Sequence, residues 1–216
     1  GFVGVDIFFV ISGFLIAGLI LEKKAVNRFS FVDFYLARAR RIVPAYFAML
    51  AVVTFCAAIL FIPKDFEVYW QSAKSAMIFG SNNYFAGFGD YFSPSSYELP
   101  LLHTWSLAIE MQFYLLLPAL IIFFPERALG LLLLLLMTGL IVFGVVLLAQ
   151  GDKKIAYFSL LVRIPEFLAG VSVALLQRNQ GKSTLLAIFA PFNSIMAFAG
   201  LALILFSFVL INEDKS

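Results

Sequence analysis

An all-α, polytopic transmembrane bundle is the fold this sequence predicts, and three observations predict it. The chain of 216 residues is 62% hydrophobic. Only 13% of it is charged, where a soluble domain carries about a quarter. Its apolar residues also fall into about six runs, each long enough to cross a hydrocarbon core about 30 Å thick as a helix. Barrel strands would alternate apolar with polar residues, so continuous apolar runs exclude them.

The runs follow in order. The first, 2–21, is interrupted by Asp6 and Ser12. The second, 43–62, ends at Pro63-Lys64-Asp65, and the third, 102–124, closes at Pro125-Glu126-Arg127. The fourth, 129–149, holds consecutive leucines from Leu131 to Leu136. The fifth is 160–176, and the sixth, 187–211, has Pro191 near its start. Between the second and third lies the connection 63–100. There Phe66, Tyr69, Trp70, Ala73, Ala76 and Met77 recur at helical spacing, which predicts a helix lying in the interface. The aromatic and amide residues after it, from Ser81 to Phe92, read as a turn-rich loop whose rings and amides suit carbohydrate. No internal repeat is visible. The whole is read as one partial transmembrane domain, 1–216. Gly1 opens directly on an apolar run, so a longer parent protein is expected on both sides.

The loops give an orientation. Lys23, Lys24, Arg28, Arg38, Arg40 and Arg41 crowd the segment between the first two runs, against Glu22 and Asp33. Short positive loops stay in the cytoplasm. That places 63–100 outside, Asp6 and His103 in the outer half of the membrane, and Arg163 and Glu166 near the outer end of the fifth run. The net charge of +2 points to no particular partner, nucleic acid included. Cys56 is the only cysteine and His103 the only histidine, so neither a disulfide nor a metal-ligand cluster is legible.

Charged groups inside a span cost about 2.5–3.5 kcal/mol each on insertion scales, so they usually face a protein interior or a wet cavity. His103 and Glu110 are seven residues apart, close to two turns, and are expected to share one helix face. Trp105 and Tyr114 flank them and would exclude water. An imidazole there could take a proton from an attacking hydroxyl, or simply hydrogen-bond at the interface. Glu110 reads as a buried carboxylate, paired to an arginine or protonated. Arg163 and Glu166, three apart, suit a mutual ion pair. Ser12 and Gly13 suit close helix contact, and Ser12 is not read as a nucleophile.

Four stretches resemble signatures of the acyltransferase 3 family, in the family's order. They are Gly1-Phe2-Val3-Gly4-Val5-Asp6 through Ser12-Gly13-Phe14, and Arg38-Ala39-Arg40-Arg41-Ile42-Val43-Pro44. Then come His103-Thr104-Trp105-Ser106-Leu107-Ala108-Ile109-Glu110, and Arg163 with Glu166-Phe167 and Gly170. Met111 departs from the pattern, since many members have a second glutamate there.

The resemblance implies a membrane O-acyltransferase, most often an O-acetyltransferase. It would move an acyl group from cytoplasmic acyl-CoA to a hydroxyl of a surface glycan such as O-antigen, exopolysaccharide or peptidoglycan. Acyl-CoA enters as donor substrate, with no tightly bound cofactor. The implied partners are the bilayer and a glycan or lipid-linked glycan, and the implied place is the bacterial inner membrane. Arg38, Arg40 and Arg41 would bind acyl-CoA phosphates, since guanidinium forks match phosphate oxygens; the plainer reading is anionic lipid. The family's principal histidine is expected upstream of Gly1. His103, Glu110 and Asp6 are then supporting catalytic groups, and a fragment alone is expected to be inactive. Asp6 would orient that histidine or cap the helix start. Trp105, Tyr114, Arg163 and Glu166 would be structural or substrate contacts. The competing reading is a transporter or flippase fragment, which matched broken halves would favour.

Overall fold

The computed structural model describes residues 2–87 and 99–179. Among the described residues there are eight helices and no strand. They are α1 (Phe2–Ala25), α2 (Phe31–Leu60), α3 (Pro63–Met77), α4 (Ser81–Ala86), α5 (Thr104–Phe123), α6 (Glu126–Ala149), α7 (Lys153–Phe158) and α8 (Leu160–Asn179). Five of them, α1, α2, α5, α6 and α8, are long and apolar enough to cross a membrane. The chain is a multi-pass membrane protein. The sixth predicted run, 187–211, lies outside the described residues, as do residues 88–92 at the end of the aromatic loop.

Side-chain ties fix the directions. Lys24, in the last turn of α1, donates to the carbonyls of Ile121 (2.5 Å) and Phe124 (2.9 Å) at the end of α5. Those carbonyls have no helical donor left, so a lysine there satisfies them and complements the helix dipole. Arg178, in the last turn of α8, donates to the Leu21 carbonyl and pairs with Glu126 at the start of α6 (3.2 Å). Helices α1, α5 and α8 therefore run one way and α6 the other, and one end of the bundle is stitched by cations. This is called the basic end below.

At the centre, α1 and α8 meet backbone to backbone. A Cβ on Gly13 would collide with the Phe167 carbonyl, and one on Gly170 with the Val10 carbonyl. Glycine is required at both positions for this approach, which is how membrane helices gain packing without a hydrophobic driving force. Phe167 beside the seam is sandwiched between Phe9 (4.5 Å) and Phe113 (4.2 Å), in offset geometries that aromatic rings favour.

Besides α4, which takes up the start of the predicted turn-rich loop, two elements differ from the sequence reading. The second span was expected to begin at residue 43, with Pro44 at the helix start. Instead α2 runs unbroken for 30 residues from Phe31, about 45 Å at 1.5 Å per residue. Ser30 caps it, accepting from the Asp33 N–H (3.3 Å), and Pro44 sits inside. Contacts on both sides hold the helix across the proline. Tyr35 donates to the Leu115 carbonyl (2.9 Å) before it, and Tyr46 to the Ala76 carbonyl (2.9 Å) after it. The arginines thus belong to the first turns of the spanning helix, not to a preceding loop.

The second difference is α3, which does not lie across the end of the bundle. It runs back along α2, joined by the Thr54–Tyr69 hydroxyl pair (2.7 Å) and the Tyr46–Ala76 bond. Tyr69, Ala73 and Ala76 are its buried stripe, and Tyr69 and Ala76 meet α2. The short α4 then tucks against α5. Gln112 donates to Asn82 Oδ1 (2.9 Å) and to the Phe79 carbonyl (2.8 Å), and Thr104 to Ser81 Oγ (2.8 Å). Buried amides and hydroxyls need such partners, and α5 supplies them.

Candidate active site

Three groups of polar side chains line up along α1. At the end opposite the basic end, Arg163 of α8 reaches Asp6 of α1 (3.0 Å) and Glu166 (2.8 Å), and its Nε donates to the Tyr157 carbonyl (3.1 Å). The Arg163 guanidinium also lies over the rings of Tyr157 (4.8 Å) and Trp105 (5.9 Å). Trp105 is itself packed against Phe9, Tyr157 and Phe158. One cation between two carboxylates and two aromatic faces is a fixed structure, because a guanidinium forms planar forks and stacks at once. Burial pushes the Tyr157 phenol above its ordinary range, so it stays protonated.

The second group lies six residues, about one and two-thirds turns, further along α1. Ser12 donates from α1 to Glu110 Oε1 on α5 (2.8 Å), and Tyr114, one turn along α5, donates to the same oxygen. Ser12 and Glu110 are about 5% exposed, at 6% and 5%. A carboxylate gathering two hydroxyl donors has charge-assisted hydrogen bonds, roughly twice as strong as neutral ones.

The third group faces this carboxylate from α2. A cleft of about 480 Å³ opens between α1, α2 and α5, with Ser12, Glu110, Tyr114, Arg38 and Arg41 in its wall. Arg38 Nε is buried there without a hydrogen-bond partner among the described residues. Buried donors are almost always satisfied, so this Nε is one that a ligand or an ordered water in the cleft would complete. Arg40 is exposed and outside the cleft wall, as the spacing of a helix requires once Arg38 and Arg41 share a face. A second cavity, about 400 Å³ between α5, α6 and α8, has an entirely apolar lining.

The pairing of His103 with Glu110 on one face is not what the structure holds. His103 is the N-cap of α5, one residue before the helix, and its side chain is exposed and outside the cleft. Glu110 points inward. The turn into α5 is bonded three residues back, Thr104 N–H to the Leu101 carbonyl and Trp105 N–H to that of Leu102, so the α-helical step from Glu110 does not carry back to His103. Ser12 was the residue missed: its place in the packing was legible, its bond to Glu110 was not. A signal existed, since a carboxylate in the middle of a span must find donors, and Ser12 is one of few polar groups at that height.

Fold and site together define a class: a multi-pass membrane protein with a cation-lined internal cleft built around a buried carboxylate. The chain belongs to the acyltransferase 3 family, whose "Acyltransferase domain" model matches residues 1–214, and it is an acyltransferase. Over 97% of its length it is 35% identical to an uncharacterised protein of Haemophilus influenzae, covering 88% of that protein. It is 35% identical over 81% of its length to the O-acetyltransferase OatA of Staphylococcus aureus. To the peptidoglycan O-acetyltransferase OatA of Listeria monocytogenes it is 37% identical over 57% of its length. The chain covers 30% of the first OatA and 20% of the second. No solved structure matches it.

Proposed function

We propose that the protein containing this bundle is an O-acetyltransferase, taking acetyl from acetyl-CoA on the cytoplasmic side of the bacterial inner membrane. The acceptor is a hydroxyl of a cell-surface glycan on the other side. The observation that carries this reading is the cleft, whose wall brings Arg38 and Arg41 of α2 together with the buried Glu110 of α5 beside α1. Guanidinium forks suit the phosphates of a CoA donor. A buried carboxylate suits the proton of an attacking hydroxyl. The OatA relatives support peptidoglycan as the first acceptor to try.

Within this reading Arg38 and Arg41 hold the donor, and Arg40 contributes general attraction from the surface. Asp6, Arg163 and Glu166 form the frame of the glycan end, with Trp105 and Tyr157 as its aromatic wall. His103, exposed beside that wall, orients the incoming glycan. The experiment is an acyl-transfer assay of the full-length protein in membranes, with [14C]acetyl-CoA as donor. Arg38→Ala with Arg41→Ala should abolish transfer at unchanged membrane expression, while Arg40→Ala retains most of it. Transfer unchanged in the double variant would overturn the reading.

A further inference from the structure

We propose that Ser12 is a nucleophile, which receives the acyl group from the donor and passes it to the acceptor. This rests on the acyltransferase reading and goes beyond it, because direct transfer from donor to glycan would need no residue in this role.

The geometry is that of an activated nucleophile. Its base must lie within hydrogen-bond reach and must in turn be held by a third group. Ser12 Oγ lies 2.8 Å from Glu110 Oε1. Tyr114 holds the same carboxylate from the next turn of the same helix. The Ser12 bond comes across from another helix and places the hydroxyl in the cleft wall; the Tyr114 bond stays within α5. Ser12 is therefore the group presented to a ligand, and Tyr114 the one that positions the base. Arg38, its Nε unpartnered among the described residues, shares the wall and supplies positive charge to the cleft in which negative charge would develop.

The placement along the membrane supplies the second argument. Ser12 lies near the middle of α1, between the Asp6–Arg163–Glu166 group and Lys24 at the basic end. A donor held by arginines and a glycan arriving from the opposite end would meet a common atom only near this height. A relay residue there turns one long transfer into two short ones.

The steps balance. Ser12 Oγ attacks the thioester carbonyl carbon, and its proton passes to Glu110. The C–S bond breaks, and the thiolate leaves with the proton held by Glu110, giving free CoA and an acyl ester on Ser12. A glycan hydroxyl then attacks the ester carbonyl and gives its proton to Glu110. The bond to Ser12 breaks, Glu110 returns the proton to Ser12 Oγ, and the acylated glycan departs.

The test uses the full-length protein, purified in detergent, with [14C]acetyl-CoA and no acceptor. The wild type should acquire acid-stable, hydroxylamine-sensitive label, mapped by mass spectrometry to the peptide carrying Ser12. Added acceptor should discharge it. Ser12→Ala should lose the label and lower transfer at least 100-fold. Ser12→Cys, close in size, should fold and carry the label as a thioester, which guards against a folding defect in the alanine variant. The relay is overturned if Ser12→Ala transfers within threefold of wild type, if the label maps to Tyr114, or if wild type transfers acetyl with no adduct. Each of these leaves the acyltransferase reading standing. Failure of the wild type to transfer acetyl from acetyl-CoA under any condition overturns that reading instead.

Discussion

The two sides of α1 are built on opposite principles. Toward α8 it presents Gly13 and receives Gly170, and the two backbones touch with no room for a methyl group. Toward α2 and α5, beginning one residue away at Ser12, it borders an open cleft of about 480 Å³. The neighbouring residues of a single Ser-Gly pair thus do different work: one closes a seam and the other furnishes a polar wall. A rigid seam allows a cleft beside it, because the helix bearing Ser12 is held in register by contacts that the cleft does not have to provide.

The comparison can be broken most severely at the seam. Gly13→Leu or Gly170→Leu should remove folded protein altogether, since backbone atoms cannot yield as side chains do, and overpacking of even a flexible core costs about 1–3 kcal/mol. Gly18→Ala, with nothing within 4 Å of the added methyl, should leave it intact. Size-exclusion profiles of the detergent-solubilised variants distinguish the two. If Gly13→Leu gave a normal monodisperse peak, the seam would not be what holds α1.

On the cleft side the loss should fall on chemistry rather than on folding. Glu110→Gln keeps an acceptor oxygen for Ser12 and Tyr114 but cannot take a proton. Transfer should drop by a factor of about 10²–10⁴, the usual worth of general base catalysis, with the thermal midpoint nearly unmoved. A smaller effect is expected at Arg163, which joins α8 to α1 beyond the glycine seam. Arg163→Lys keeps the charge between Asp6 and Glu166 but loses the fork and the stacking on Tyr157. It should lower stability by about 1–3 kcal/mol, the range for losing hydrogen bonds to charged groups, read as a lower midpoint in a thermal-shift assay. Equal stability would show that the ion pairs alone suffice.

Much of this architecture was legible in the sequence because a bilayer leaves few choices. Apolar runs of bilayer length gave five of the spans that the described residues contain. The division of Arg38 and Arg41 from Arg40 followed from helical spacing, and the proximity of Arg163 to Glu166 from their separation of three. What escaped were the contacts between elements distant in the chain. Ser12 and Glu110 are 98 positions apart, and Asp6 and Arg163 are 157 apart. No periodicity reports on such pairs. Local rules also misled at two boundaries. Proline normally ends a helix, but contacts of Tyr35 and Tyr46 carry α2 through Pro44. The stripe of α3, read as facing an interface, brings Tyr69 and Ala76 against α2, a contact that periodicity does not specify.

The seam has a consequence for how any large ligand comes and goes. With α1 and α8 locked at two glycines, they can shift only as one body, and neither can recede to make space. Any widening of the passage must then come from across it, by displacement of α2, of α5 or of their long side chains. The arginines ride on the facing helix, which hydroxyl bonds tie to α5 and α3, and the serine on the locked pair.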